Sequence, residues 1–127
     1  MRWRDWLRQA EEDAGRARRA FGTGDWALAA FLAQQAAEKA LKAAFLKRGE
    51  VAWGHSCLKL AEALGAPEEV LEASRALDRH YILSRYPNGF PEGVPSDYYT
   101  ERDAKEALEA AGRVLSWVKE VLKDGES

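Results

Sequence analysis

WALAAFLAQQAAEKALKAAFLKR, residues 26–48, is the stretch that decides the fold. Its apolar side chains recur at helical spacing in two neighbouring stripes, one starting at Trp26 and the other at Ala29. A helix that is apolar over so much of its circumference is usually central, and its alanines would allow other helices to approach closely. Asp25 is expected to be its N-cap, and Gly49 to follow its end.

Four further helices are predicted around this central one. Their periodic patterns run through residues 3–21, 56–64, 67–85 and 100–122. Ser56 is expected to cap the short third helix, and Thr100 to cap the last one with Asp103 as its capping-box partner. Pro67 suits the first turn of the fourth helix, which should end near Ser84 or Arg85 because the following proline restricts the residue before it.

No segment alternates with period two, so we predict an all-α fold without a sheet. The expected architecture is an antiparallel up-and-down bundle of four main helices plus one short helix, with a long Pro/Gly loop before the last helix. At 127 residues the chain should form one domain, over residues 1–124, followed by a frayed tail at residues 125–127.

The composition excludes several classes of protein. The net charge of -2 gives no sign of a strongly basic nucleic-acid binder or of a membrane-surface protein. Two histidines and one cysteine cannot supply the usual ligands of a zinc site, and we expect neither a metal nor a cofactor.

No stretch reaches the roughly 20 apolar residues of a membrane-spanning helix, and no signal peptide is recognisable. We therefore expect a cytoplasmic protein without a membrane partner.

LSRYPNGFPEGVPSDYYT, residues 83–100, holds three of the four prolines and introduces the first candidate site. Arg85 lies seven residues after Asp78, so the two share a helix face that continues the buried stripe. One interpretation is that Arg85 pairs with Asp78 or caps helix carbonyls and so anchors the loop. The other is that its guanidinium, beside Tyr86 and Tyr99, binds phosphate and stacks a base.

The second candidate is a polar stripe on the central helix, formed by Gln35, Glu38 and Lys42 and flanked by Phe31 and Phe45. Polar residues in an otherwise apolar helix suggest a groove or a subunit interface. The alternative is a solvated face with an ion pair between Glu38 and Lys42, four residues apart.

The histidines and the cysteine are the remaining reactive groups. His55 and His80 could each act as a general acid or base. His55, just before Ser56, is expected to brace a helix start, and His80 to be half exposed. Cys57 is expected to be a buried thiol.

Five segments taken in order resemble the HEPN family (higher eukaryotes and prokaryotes nucleotide-binding domain). They are RWRDWLRQAEEDAGRA (2–17), FLAQQAAEKALKAAFLKRG (31–49), HSCLKL (55–60), LDRHYILSRYPNGFP (77–91) and YYTERDAKEALEAAGRVLSWV (98–118). The resemblance implies an antiparallel bundle that commonly forms dimers and that is involved in nucleotide or RNA biology. It also implies a partner, a small nucleotidyltransferase with which such proteins form a two-component toxin–antitoxin pair.

The resemblance also bears on catalysis. Ribonuclease members have an arginine followed after roughly four to six residues by a histidine that takes part in proton transfer. In this chain Phe90 or a neighbour occupies the position of a histidine after Arg85. The resemblance therefore favours binding of a nucleotide or nucleic acid over RNA cleavage.

We therefore interpret the chain as a nucleotide- or nucleic-acid-binding dimer. The contacts are assigned to Arg85, Tyr86 and Asn88, with Lys42, Asp78 and Tyr99 as further candidates. The alternatives are a metal-independent ribonuclease toxin and a purely structural module that dimerises through the face with Phe31, Gln35, Glu38 and Phe45.

Overall fold

A computed structural model describes residues 2–123, and all the regular structure in this part of the chain is helical. The α-helices are α1 (Trp3–Gly22), α2 (Trp26–Lys47), α3 (Cys57–Ala63), α4 (Glu68–Asp78), α5 (His80–Leu83), α6 (Pro95–Tyr98) and α7 (Glu101–Lys123), and a single 3₁₀ turn spans Pro87–Gly89. The predicted all-α fold is confirmed. The tail predicted at residues 125–127 lies outside the described residues. Within those residues no helix is long and apolar enough to cross a bilayer.

Helix α2 is the centre of the bundle, as its sequence predicted. Twelve of its 22 residues are buried, most of them alanines. It packs most extensively against α1 and α7, and it also contacts α3, α4 and α5. The helix begins where expected, because the Asp25 carboxylate accepts a hydrogen bond from the backbone N–H of Leu28 at 3.3 Å. The small side chains of α2 thus allow the neighbouring helices to surround it.

The predicted caps of two later helices are confirmed. Ser56 Oγ accepts a hydrogen bond from the backbone N–H of Lys59 at 3.1 Å and starts α3. Thr100 and Asp103 form a reciprocal pair before α7. The Thr100 N–H donates to Asp103 Oδ2 at 2.9 Å, and the Asp103 N–H donates to Thr100 Oγ1 at 3.3 Å. Each cap satisfies backbone donors that the helix itself leaves unpaired.

The fourth helix is shorter than predicted. It ends at Asp78 and is followed by the separate short helix α5, although Arg79 between them keeps helical angles (φ −61°, ψ −27°). Helix α5 ends at Leu83 because side chains take the carbonyls of its first two residues. Ser84 Oγ donates to the carbonyl of His80 at 2.5 Å, and Arg85 Nε donates to the carbonyl of Tyr81 at 2.9 Å.

The long connection before α7 has more internal structure than its sequence predicted. Besides the 3₁₀ turn it contains α6, and neither was expected. The rings of Phe90 and Tyr98 stack with centroids 4.4 Å apart and planes at 4°. Tyr98 Oη donates to the carbonyl of Glu92 at 2.6 Å. Gly93, at φ +78°, supplies a left-handed turn that residues with a Cβ rarely adopt. Aromatic contacts therefore hold this loop in a defined shape.

Enlarging a buried alanine of α2 should destabilise the bundle. We expect Ala37→Leu to lower the free energy of unfolding by about 1–3 kcal/mol, because Ala37 is fully buried and extra methyl groups must displace packed neighbours. Urea denaturation measures this effect. The matched control is Ala76→Leu on the exposed face of α4, which should change stability by less than about 0.5 kcal/mol. Equal effects at both positions would contradict the close packing of α2.

Candidate functional site

The first part of the site is a cationic cluster at the end of α5, which we call the Arg85 cluster: Arg85, Phe31, Tyr81 and Tyr86. The guanidinium carbon of Arg85 lies 4.4 Å from the ring centre of Phe31, 4.5 Å from that of Tyr81 and 4.9 Å from that of Tyr86. Its Nε donates to the backbone carbonyl of Tyr81. Three aromatic faces therefore fix the guanidinium, and the interpretation in which Arg85 caps a helix carbonyl is confirmed.

The second part is a buried polar network, the Glu38 cluster: Gln34, Glu38, Lys42 and His55. Glu38 is 5% exposed. Its carboxylate accepts from Gln34 Nε2 at 3.2 Å and from Lys42 Nζ at 3.1 Å. His55 Nδ1 lies 3.2 Å from both carboxylate oxygens. The predicted ion pair between Glu38 and Lys42 is present, but it does not lie on a solvated face, because the two side chains are only 6% and 14% exposed. His55, from the loop after α2, contacts the same carboxylate.

Tyr81 joins the two clusters. Its ring stacks on the imidazole of His55 with centroids 4.4 Å apart and planes at 15°. The same ring lies against the guanidinium of Arg85. Phe31 and Glu38, seven residues apart on α2, support the two clusters from one helix face. An arginine and a half-exposed histidine are thus each within 4.5 Å of the centre of one tyrosine ring.

Asp78, predicted to share a site with Arg85, is engaged elsewhere. Its carboxylate accepts from Ser56 Oγ at 2.8 Å and from the backbone N–H groups of Cys57 at 2.6 Å and Leu58 at 3.2 Å. These bonds hold the first turn of α3 against α4. The suggested pair of Asp78 with Arg85 is therefore wrong, because the start of α3 offers the carboxylate three donors.

Tyr99 and His80 form a separate buried pair. Tyr99 is 9% exposed, and its hydroxyl lies 2.6 Å from His80 Nδ1, so it does not stack beside Arg85. His80 was expected to be half exposed, but it is 3% exposed. Burial lowers the pKa of His80 to about 4, and burial raises the pKa of Tyr99 to about 12. A cleft beside this pair has a volume of about 140 Å³, well below the roughly 300–1,000 Å³ of typical ligand pockets.

The other predicted site residues divide between core and surface. Phe45 is 8% exposed and belongs to the hydrophobic core, so it does not offer a face to a partner. Lys42 is held by Glu38 and its side chain is 14% exposed. Phe31 and Gln35 are partly exposed, and Asn88 is exposed. Dimerisation through the Phe31 face stays a prediction.

The contact between His55 and Glu38 was not predicted from the sequence. His55 and Glu38 are 17 residues apart, and no local pattern joins them. Gln34 is fully buried, and its amide also donates to the His55 carbonyl at 3.1 Å. Cys57 beside it is the buried thiol that was predicted, and burial raises the pKa of that thiol well above its usual range. A buried carboxylate needs donors, and that requirement is the signal that could have suggested the pair.

The Arg-to-His spacing of the ribonuclease pattern does occur in the chain, but it starts ten residues earlier than Arg85. Arg75 and His80 are separated by four residues. Arg75 is exposed on α4, whereas both ring nitrogens of His80 are engaged, Nδ1 with Tyr99 and Nε2 with Arg79 at 3.5 Å. His80 therefore has no open nitrogen with which to move a substrate proton.

The fold defines the chain as an antiparallel helical-bundle protein. Residues 3–121 match the family model of the HEPN domain, so the chain belongs to the HEPN family.

Solved structures and a curated relative agree with this assignment. TT1696 from Thermus thermophilus is 47% identical, with a TM-score of 0.90, and 94% of this chain matches 98% of that one. An archaeal HEPN homologue is 44% identical, with a TM-score of 0.84, over 94% of this chain and 97% of its own. The protein named "Putative toxin MJ1304" from Methanocaldococcus jannaschii is 27% identical over 93% of this chain and 86% of its own length.

The burial of His80 should make folding stability depend on pH. Its folded pKa of about 4 lies below the ordinary value near 6.5, so the unfolded chain binds a proton first as the pH falls. We expect the free energy of unfolding to decrease between pH 6.5 and 4 by up to about 3 kcal/mol from this group. Urea denaturation across this range should show a shallower slope for His80→Gln than for wild type. Equal slopes would contradict the assignment.

The role of Asp78 as an anchor for α3 can be tested separately. We expect Asp78→Ala to lower the free energy of unfolding by about 1–3 kcal/mol, because three buried or partly buried donors lose their acceptor. The control is Asp5→Ala, which removes an exposed ion pair with Arg2 and should cost less than about 1 kcal/mol. Thermal or urea unfolding compares the two, and equal losses would refute the anchoring role.

Proposed function

We propose that this HEPN protein binds RNA, holding a backbone phosphate at Arg85 and stacking unpaired bases on nearby aromatic side chains. The observation that carries the proposal is the packing and hydrogen bonding of the Arg85 guanidinium. Its Nε is bonded and its planar face is sandwiched among aromatic rings. Its two terminal nitrogens have no hydrogen-bond partner among residues 2–123. A fixed guanidinium with free donors is suited to bidentate binding of a phosphate.

Exposed aromatic side chains, one beside Arg85 and one close to His55 in the sequence, support RNA with unpaired bases as the ligand. Tyr86, in contact with Arg85, is 45% exposed. Trp53 is 86% exposed and stands two residues before His55. Exposed aromatic rings beside a cationic group are the usual platform on which single-stranded nucleic acid stacks its bases. Asn88, exposed in the 3₁₀ turn after Tyr86, is suited to contact a base edge or a sugar.

We further propose that the protein acts in a toxin–antitoxin-type pair, as a homodimer and with a small nucleotidyltransferase as its partner. The similarity to a protein named as a toxin supports the first part. RNA binding is compatible with such a role. RNA cleavage is the second candidate function, and the pairing of His55 with Glu38 favours it.

Removal of the Arg85 side chain should weaken RNA binding. We expect Arg85→Ala to raise the dissociation constant for a mixed-sequence single-stranded oligoribonucleotide by roughly 10- to 100-fold, because a charge-assisted bidentate contact is lost. Arg85→Lys should recover little of this affinity, because an ammonium lacks the planar fork. Fluorescence anisotropy at fixed salt measures both variants.

The control for this experiment is Arg75→Ala, which removes an exposed arginine of α4 and should leave affinity within about twofold of wild type. A duplex oligoribonucleotide and ATP serve as alternative ligands. Equal affinity of the Arg85→Ala and wild-type proteins, or binding of ATP alone, would refute the proposal.

A further inference from the structure

A second cleft lies between the first half of α1 and Lys39 of α2, outside both the Arg85 cluster and the Glu38 cluster. Its volume is about 380 Å³, within the roughly 300–1,000 Å³ of typical ligand pockets. Five residues line this cleft, which we call the Trp6 cleft: Arg2, Asp5, Trp6, Gln9 and Lys39. It therefore combines an aromatic ring, an amide and two cations in one concave surface.

The indole of Trp6 is the aromatic wall of this cleft. On the same helix Trp3 and Leu7 pack against the hydrophobic core, whereas Trp6 does not. Trp6 is partly exposed, and in the part of the chain that the structure describes no ring or cationic side chain stacks on it. An aromatic face that is neither packed into the core nor stacked is available to a planar ligand such as an unpaired base.

The buried carboxylate of Asp13 fixes the polar side of the cleft. Asp13 is 2% exposed, and it accepts hydrogen bonds from Gln9 Nε2 at 3.0 Å, Arg16 Nη1 at 3.2 Å and Lys39 Nζ at 2.5 Å. Because two cations surround this one carboxylate, it is neutralised and does not repel an anionic ligand. The same bonds hold Gln9 and Lys39 in place at the cleft.

The held amide of Gln9 has a defined orientation. A carboxylate only accepts hydrogen bonds, so the amide nitrogen of Gln9 faces Asp13. Its Oε1 and the second N–H of Nε2 have no partner among residues 2–123. A glutamine amide with one free acceptor and one free donor is the usual bidentate partner of adenine, at N6 and N7. Uracil has no exocyclic amino group to complete such a pair.

Helix α2 connects the Trp6 cleft to the Arg85 cluster. Phe31, which packs on Arg85, is followed at intervals of four residues by Gln35 and Lys39, and all three side chains are partly exposed. Residues at this interval form one continuous ridge on a helix. Eight residues rise about 12 Å along the axis. That rise equals about four stacked nucleotides at about 3.4 Å each, so a short RNA strand can reach both places.

We infer that the Trp6 cleft is a second subsite for the RNA strand that Arg85 holds, and that it takes an adenine stacked on Trp6 and paired with Gln9. This inference rests on the RNA binding proposed above. Lys39 and Arg2 contact the neighbouring phosphates. The ion pair of Arg2 with Asp5 does not prevent this, because the two side chains are 79% and 60% exposed and such pairs are weak.

The first test compares octaadenylate with octauridylate by fluorescence anisotropy at fixed salt. We expect Trp6→Leu to raise the dissociation constant for octaadenylate by roughly 5- to 100-fold, because one stacked base is lost. Trp6→Phe should lose less affinity, since a phenyl ring still stacks. Gln9→Leu should reduce the preference for octaadenylate over octauridylate by at least about fivefold. The control is Trp117→Phe, in a separate groove between α4 and α7, which should stay within about twofold of wild type.

A second measurement leaves Trp6 in place and so does not depend on how well Trp6→Leu folds. The chain has five tryptophans, and incorporation of 5-fluorotryptophan gives each a fluorine resonance. The resonance of Trp6 is the one that Trp6→Phe lacks. Octaadenylate should shift this resonance at concentrations at which AMP, which carries the same base without a strand, leaves it unchanged. A shift caused by AMP but not by octaadenylate would overturn RNA as the source of the adenine.

The other outcomes separate this inference from the proposed function. If Arg85→Ala weakens the binding of octaadenylate but Trp6→Leu binds like wild type, the second subsite is refuted and RNA binding at Arg85 stands. If Trp6→Leu changes the oligomeric state in light scattering and leaves the affinity unchanged, the cleft belongs to a subunit contact and the inference fails. Wild type that binds neither oligonucleotide would remove the proposed function, and the second subsite with it.

Discussion

The buried carboxylate of Glu38 is the constraint on which the rest of this structure depends. A charge that is 5% exposed in the middle of an alanine-rich helix is costly unless donors surround it. Two donors come from its own helix, but His55 comes from the loop between α2 and α3. The chain must therefore return to α2 at that point. The residues just after His55 then bind Asp78, so the same requirement also sets where α3 meets α4.

The contact of His55 with Glu38 also affects the position of Arg85, through the ring of Tyr81. Tyr81 stacks on the imidazole, and Arg85 packs on Tyr81 and reaches Phe31 of α2. Fixing the histidine thus also helps to fix the arginine, although the two residues belong to different segments. The aromatic loop that follows is held by the stacking of Phe90 on Tyr98 and by the bond from Tyr98 Oη to the carbonyl of Glu92, and Phe90 also packs against the hydrophobic core. At the start of this loop, directly after α5, Tyr86 packs against the guanidinium of Arg85 and Asn88 is exposed.

The features that could be predicted from sequence depend on residues close together in the chain. The helical period identified the main helices, and the caps at Asp25, Ser56 and Thr100 each involve a bond to a residue three positions on. The features that could not be predicted join distant residues. The bond of His55 to Glu38 spans 17 residues, and that of His80 to Tyr99 spans 19. The exposure of His80 was mispredicted because the residue lies one position off the apolar face of its helical pattern, and its buried partner Tyr99 comes from 19 residues further along the chain.

The two histidines show why residue type and spacing alone do not assign chemistry. His80 follows an arginine at a suitable spacing, yet Tyr99 and Arg79 take both ring nitrogens, and burial lowers its pKa to about 4. His55 matches no spacing pattern, yet one of its ring nitrogens is bonded to a carboxylate and the other has no partner among residues 2–123. What separates them is the number of ring nitrogens that the fold leaves unpaired.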